Sequence, residues 1–208
     1  MSSIEIVPIK NWDPIDEFFS FCWDILGSYF DLMAALFHFR LLTDDIRARS
    51  KSQSGLSDEE LDKAWHIYDQ GHPTHPIGGL RHISSQGAFR DRISEDGRDK
   101  ILQDHMSIVI IYQAWEHHFR GIIAAWLACN KDDLKFDVMG DVRKLRQGII
   151  HRGGRVENGI EWLNLSKDDL IKLDIPQWTN LFEKVILMCR ELKKMKYGQE
   201  SDPQIGFR

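Results

Sequence analysis

The chain has 208 residues, of which 42% are hydrophobic and 28% charged, with a formal net charge of -5. This is the profile of one soluble globular domain spanning 1–208. It excludes a uniformly basic nucleic-acid coat, because a polyanion would need a local basic patch on a mildly acidic protein.

Residues 13–49 read as one long helix. Asp13 before Pro14 makes an N-cap and first-turn pair. Phe18, Phe21, Cys22, Leu26 and Tyr29 recur at steps of three and four. The stripe Phe18, Phe21, Tyr29 and Phe37 is expected in the core. "LSDEELDKAWHIYDQ" reads as a shorter helix, with Ser57 and Glu60 spaced as a capping box. Residues 66–98, rich in Gly, Pro, Ser and His, read as a long loop or excursion. His66, His72, His75 and His82 fall there without a cysteine nearby, so they read as a solvated loop and no metal is expected.

The second long helix is expected over 100–129, apolar on most faces and therefore central. Its run "SIVIIYQAWEHHFRGIIAAWLA" comes nearest to a membrane span. Glu116, His117, His118 and Arg120 interrupt it. The first residues carry acids and no continuous apolar run, unlike a signal peptide. A cytoplasmic protein with no membrane contact is expected. Of His117 and His118, one is expected in the core. Residues 137–152 form the third main helix, stopped by Gly153 and Gly154. Asn158-Gly159 is a hairpin signal. "SKDDLIKL" reads as a short helical turn and residues from 175 as the last main helix. Its basic end "RELKKMK" is expected in solvent, and 197–208 form a loose tail. Cys22, Cys129 and Cys189 lie far apart in apolar runs, which favours buried free thiols. The fold class is all-α, a bundle of four to five main helices with a small β-hairpin after the third.

The chemistry concentrates in "DVRKLRQGIIHRGGRV", residues 141–156. At about 100° per residue, Met139, Val142, Leu145, Ile149 and Ile150 share one face. Arg146 falls within that apolar arc. A guanidinium cannot lose its charge, so it must snorkel, find a carboxylate or meet an anion at an interface. Glu116 is the expected carboxylate. Gln147 and His151 are four apart and in line. His151 lies in the last turn, where the helix dipole and the cations Arg152 and Arg155 oppose one another. That balance suits a general acid or base. The bland alternative is a helix end whose basic residues are structural.

"LRQGIIHRGGRV" resembles the signature of the HEPN superfamily, an Arg followed by a polar residue, a short spacer and His. Here it runs Arg146, Gln147, three residues, His151. The resemblance covers roughly residues 100–190. It implies a HEPN-like helical bundle, a homodimer, and metal-independent endoribonuclease activity without a cofactor. Arg146 and His151 of both protomers would meet RNA at a two-fold cleft, supported by Gln147, Arg143, Glu116, Arg152 and Arg155. A toxin or antiviral-defence role and an antitoxin or other protein partner are further implications. HEPN toxins paired with a nucleotidyltransferase antitoxin typically carry Tyr two positions after the His. Gly153 stands there, so regulation by modifying that tyrosine is not expected. The second reading is a non-catalytic HEPN-like module that binds RNA, a nucleotide or a protein partner.

Overall fold

The computed structural model describes residues 13–68 and 82–205. The expectations for the N-terminal residues before 13 and for His72 and His75 fall outside them, as do residues 206–208. In chain order the elements are α1 (Pro14–Ser54), α2 (Asp58–Lys63), β1 (Trp65–Tyr68), β2 (His82–Ser85), α3 (Gln86–Ile93) and α4 (Arg98–Ala114). A π-helical segment, Trp115–Phe119, joins α4 to α5 (Arg120–Leu127). Then follow α6 (Asp137–His151) and α7 (Ile175–Tyr197), with 3-10 turns at Lys131–Asp133 and Glu161–Leu163. The class is all-α, apart from one antiparallel pairing of β1 with β2. The chain divides into two compact units, Met1–Tyr29 with Asp104–Arg208, and Phe30–Gln103.

In the first unit, Asp13 caps α1 as expected, accepting from the backbone N–H groups of Ile15 at 3.0 Å and Asp16 at 2.8 Å. Phe18 is fully buried and its ring meets Trp115 at 5.2 Å and Phe119 at 5.3 Å between centroids. The π segment has a longer repeat than an α-helix, which adds a residue to the turn. Both Trp115 and Phe119 still reach the core. His117 and His118, however, are both exposed, so neither is the core histidine expected.

A fully buried carboxylate lies at the centre of this unit. Asp104 on α4 accepts from Trp178 Nε1 at 2.9 Å and from the Leu173 backbone N–H at 3.1 Å. The Tyr29 ring lies 5.0 Å from that of Trp178. Burial pushes the Tyr29 hydroxyl well above its ordinary value, and the nearby Asp104 charge adds to this.

The basic end of α7 also departs from expectation. Lys193 is buried and pairs with Asp16 at 2.7 Å and Asp13 at 3.8 Å. Solvation is not what holds that end of the helix, because α1 supplies the counter-charge. The tail follows the same attraction. Arg190 binds Asp202 at 2.6 Å, and the Gln204 N–H donates to Asp16 at 2.6 Å, so the tail is held at Asp202 and Gln204. Cys22 and Cys189 are buried thiols and Cys129 is half-buried, all three free.

In the second unit the Ser57–Glu60 capping box is present. The helix it starts ends at Lys63, though, because Ala64 is extended and the chain enters β1. The expected loop 66–98 therefore contains β1, β2 and α3 among its described residues. Arg47 is buried against Asp62 at 2.8 Å and Asp58 at 3.3 Å. The outer half of α1 exposes Phe37, Phe39, Leu41, Leu42 and Ile46, so Phe37 is not the core residue expected. By length and composition α1 is apolar enough to cross a membrane, with mean hydropathy 1.3 over an 18-residue window of which 11% is buried. That window, and not the run in 100–129, comes nearest to a span.

Candidate functional site

Helix α6 buries Val138, Met139, Val142, Leu145 and Gly148 along one face. Ile150, expected on that face, is 47% exposed. The face turns away because Gly148 occupies the contact. A Cβ there would lie 2.4 Å from the Arg155 carbonyl oxygen and 2.9 Å from Ile171 Cδ1. The chain returns over α6 at this point. The Gly148 carbonyl accepts from the N–H groups of Arg152 at 3.0 Å and Gly154 at 3.1 Å. Gly154 has φ +82°, and a Cβ on it would strike the His105 ring at 2.5 Å. His105, half-buried on α4, in turn reaches the Ile171 carbonyl at 2.9 Å through Nε2. In the sequence, Gly153 and Gly154 signal the stop of α6 but nothing near them names His105 as its partner.

Gly148→Ala is expected to destabilise the protein by at least about 2 kcal/mol, through overpacking against backbone that cannot step aside. Gly140→Ala, on the same helix with nothing within 4 Å of the new methyl, should stabilise by about 1 kcal/mol. Urea denaturation of both checks the pair. Equal effects would mean that the return of the chain over Gly148 is not a tight contact.

Arg146 is half-buried. Its guanidinium lies 5.6 Å from the centroid of the Tyr112 ring on α4. Its Nε is buried without a hydrogen-bond partner, and no carboxylate pairs with it among the described residues. Glu116, the partner expected, is taken by Arg120 at 2.8 Å and Lys131 at 3.0 Å. Burial alone would raise the Glu116 pKa, but its hydrogen bonds from Lys131 and Arg120 outweigh that and lower it. Gln147 is half-buried one turn before His151, and His151 is exposed at the end of α6.

Two of the supporting cations are engaged by their own chain. Arg152 pairs with Asp168 at 3.2 Å and Glu157 at 3.5 Å. Arg155 donates to the Asp168 carbonyl at 2.8 Å. Arg143 is exposed and has no carboxylate partner among the described residues. The hairpin expected about Asn158-Gly159 is not formed. Isolated bridges pair Arg155 with Leu170 and Ile160 with Leu165, and the reversal falls on the turn Glu161–Leu163. "SKDDLIKL" begins as a turn, with the Asp169 N–H donating to the Ser166 carbonyl at 3.2 Å and the Ser166 N–H to the Asp169 carboxylate at 2.7 Å, but it does not go on as a helix and is bridged at Leu170. Among the described residues no group of three His, Cys, Asp or Glu side chains is assembled to hold a metal ion.

No family model, no curated protein and no solved structure matches this chain.

Proposed function

We propose that the protein is a metal-independent endoribonuclease of HEPN type that acts as a homodimer. The observation that carries this reading is Arg146. It is a permanent cation, half-buried, resting on Tyr112 with an unused Nε donor. Leaving such a donor without an acceptor is costly in a finished interior. It is economical where a phosphate completes the site. The same two helices expose the apolar side chains Met106, Ile110 and Ile150, which a second copy would cover.

In this reading His151 takes the proton of an RNA 2′-OH. The 2′-oxygen bonds to the adjacent phosphorus, and the bond from phosphorus to the 5′-oxygen breaks. The partner's His151 gives a proton to the departing 5′-oxygen, and a 2′,3′-cyclic phosphate is left. Arg146 of each protomer stabilises charge on the non-bridging oxygens. Gln147, in line with His151 and making no hydrogen bond to it in the free protein, would orient the imidazole or hold the phosphate once RNA is bound. A toxin or antiviral-defence role and a protein partner such as an antitoxin rest on the HEPN resemblance alone. Three free thiols support a reducing, cytoplasmic setting.

The test is RNA cleavage in excess chelator. Wild-type protein should cut and leave cyclic phosphate ends, and His151→Ala should lower the rate at least about 10²-fold while keeping the assembly intact. A monomer by light scattering would sink the dimer cleft. One observation favours the second reading, a non-catalytic module: no described residue hydrogen-bonds the His151 imidazole. RNA bound but never cut by wild-type protein would decide for it.

A further inference from the structure

Beside the motif, and separate from His151, the first unit holds a cleft of about 630 Å³. Its walls come from the end of α4, the π segment, Arg120, the stretch before α6, the first turns of α6, Trp162 and Lys184. Five cations line it, namely Arg120, Lys135, Arg143, Lys144 and Lys184, against the three acids Glu116, Asp137 and Asp141. Two of those acids are already neutralised. Glu116 is held between Arg120 and Lys131. Asp141 binds Lys144 at 2.7 Å and accepts from Trp162 Nε1 at 2.6 Å. Lys135, Arg143 and Lys184 are left with no carboxylate among the described residues. Lys184 instead rests on the Trp162 ring, its Nζ 5.0 Å from the centroid. Arg120, mostly buried, keeps a buried Nε without an acceptor.

Unneutralised cations interleaved with half-exposed rings are the chemistry of a bound nucleotide, which offers a phosphate to the first and a flat π-face to the second. The volume suits one nucleotide rather than a duplex. Tyr112 lines this cleft and also carries the Arg146 guanidinium. Arg143 sits one helical turn before Arg146 and Gln147. The cleft therefore runs into the motif along α6.

We propose that this cleft binds one nucleotide of single-stranded RNA next to the strand position acted on at Arg146 and His151. Its phosphate lies on Arg143 and Lys184, and its base lies against Trp162. The assignment rests on the ribonuclease reading only for the identity of the strand; the cleft itself stands on its own residues.

The probe is a short, fluorescently labelled 2′-O-methyl oligoribonucleotide, which has no free 2′-OH to attack with. Binding is measured by anisotropy over a range of salt. Arg143→Glu and Lys184→Glu should each weaken binding about tenfold or more. Conversion of either cation to Gln should lower the salt slope by about one. Lys167→Glu, an equal charge change on the exposed loop after α6, should leave binding as in wild type. Thermal melting of each variant separates lost binding from lost fold. Wild-type affinity in both charge-reversed variants would overturn the proposal. So would a site that takes a free nucleoside monophosphate but not the oligonucleotide. Failure of cleavage with binding and its variant effects intact would sink the ribonuclease reading and leave the cleft standing.

Discussion

Asp104→Ala is expected to lower stability by about 2–6 kcal/mol, a large part of the 5–15 kcal/mol typical of a domain. The carboxylate is fully buried and accepts from Trp178 Nε1 and the Leu173 N–H. Removing it strands at least these two donors where water does not reach, at about 1–3 kcal/mol each. Asp104→Asn keeps the shape and one acceptor oxygen but turns an amide toward one of the two donors. It should lose less than the alanine variant and more than a surface substitution. The comparison removes the cavity contribution, since Asn fills the same space. Midpoints of urea denaturation with unchanged slope measure both. An alanine variant that loses under about 1 kcal/mol would mean the two donors find other acceptors, and that Asp104 is not what ties α4 to α7.

That carboxylate also marks where the sequence stops being readable. Signals that act within a turn or two can be read without the fold. Asp13 before Pro14 and the Ser57–Glu60 box place helix starts correctly, because the donors they cap lie within three residues. The period of three and four likewise places the buried stretch of α1 and most of the buried face of α6. Asp104 and Trp178 are 74 positions apart, and nothing near either residue names the other. Lys193 reads as one more cation in "RELKKMK", yet the fold brings Asp16 to it. Local propensity was overridden at Ala64, where "DKAWHIY" could continue a helix but pairs as β1 with β2. Of the site, the spacing of Arg146 and His151 on α6 and the wrong-sided arginine were readable. The carboxylate assigned to Arg146 was not, because Arg120, one turn after Glu116 on the same helical run, reaches it first. Nor was the cleft readable, since its walls come from stretches as distant as Tyr112 and Lys184.

Arg146→Met should separate the two accounts of that arginine. If it is structural, donating to its own chain, its loss leaves acceptors unpaired and the melting temperature falls. If it is held ready for a phosphate, it is a liability in the free protein. The thioether has similar length, fills the contact with Tyr112 and makes a favourable sulfur–aromatic contact. Stability should then stay level or rise by up to about 1 kcal/mol, as happens when a functional charge is removed from an interior position. A pair of arginines facing one another across a two-fold axis would repel in the absence of RNA, so the Met variant should also dimerise more tightly. Cleavage, by contrast, should fall about 10²–10³-fold, the loss seen when one preorganised donor to a developing oxyanion is removed. Arg146→Lys keeps the charge but lacks the planar fork, and it should keep stability at the wild-type level while recovering little of the rate. Differential scanning calorimetry, sedimentation and single-turnover cleavage on the same three proteins give the comparison. A Met variant that melts earlier and cuts as wild type would assign Arg146 to the scaffold and remove the observation on which the ribonuclease reading rests.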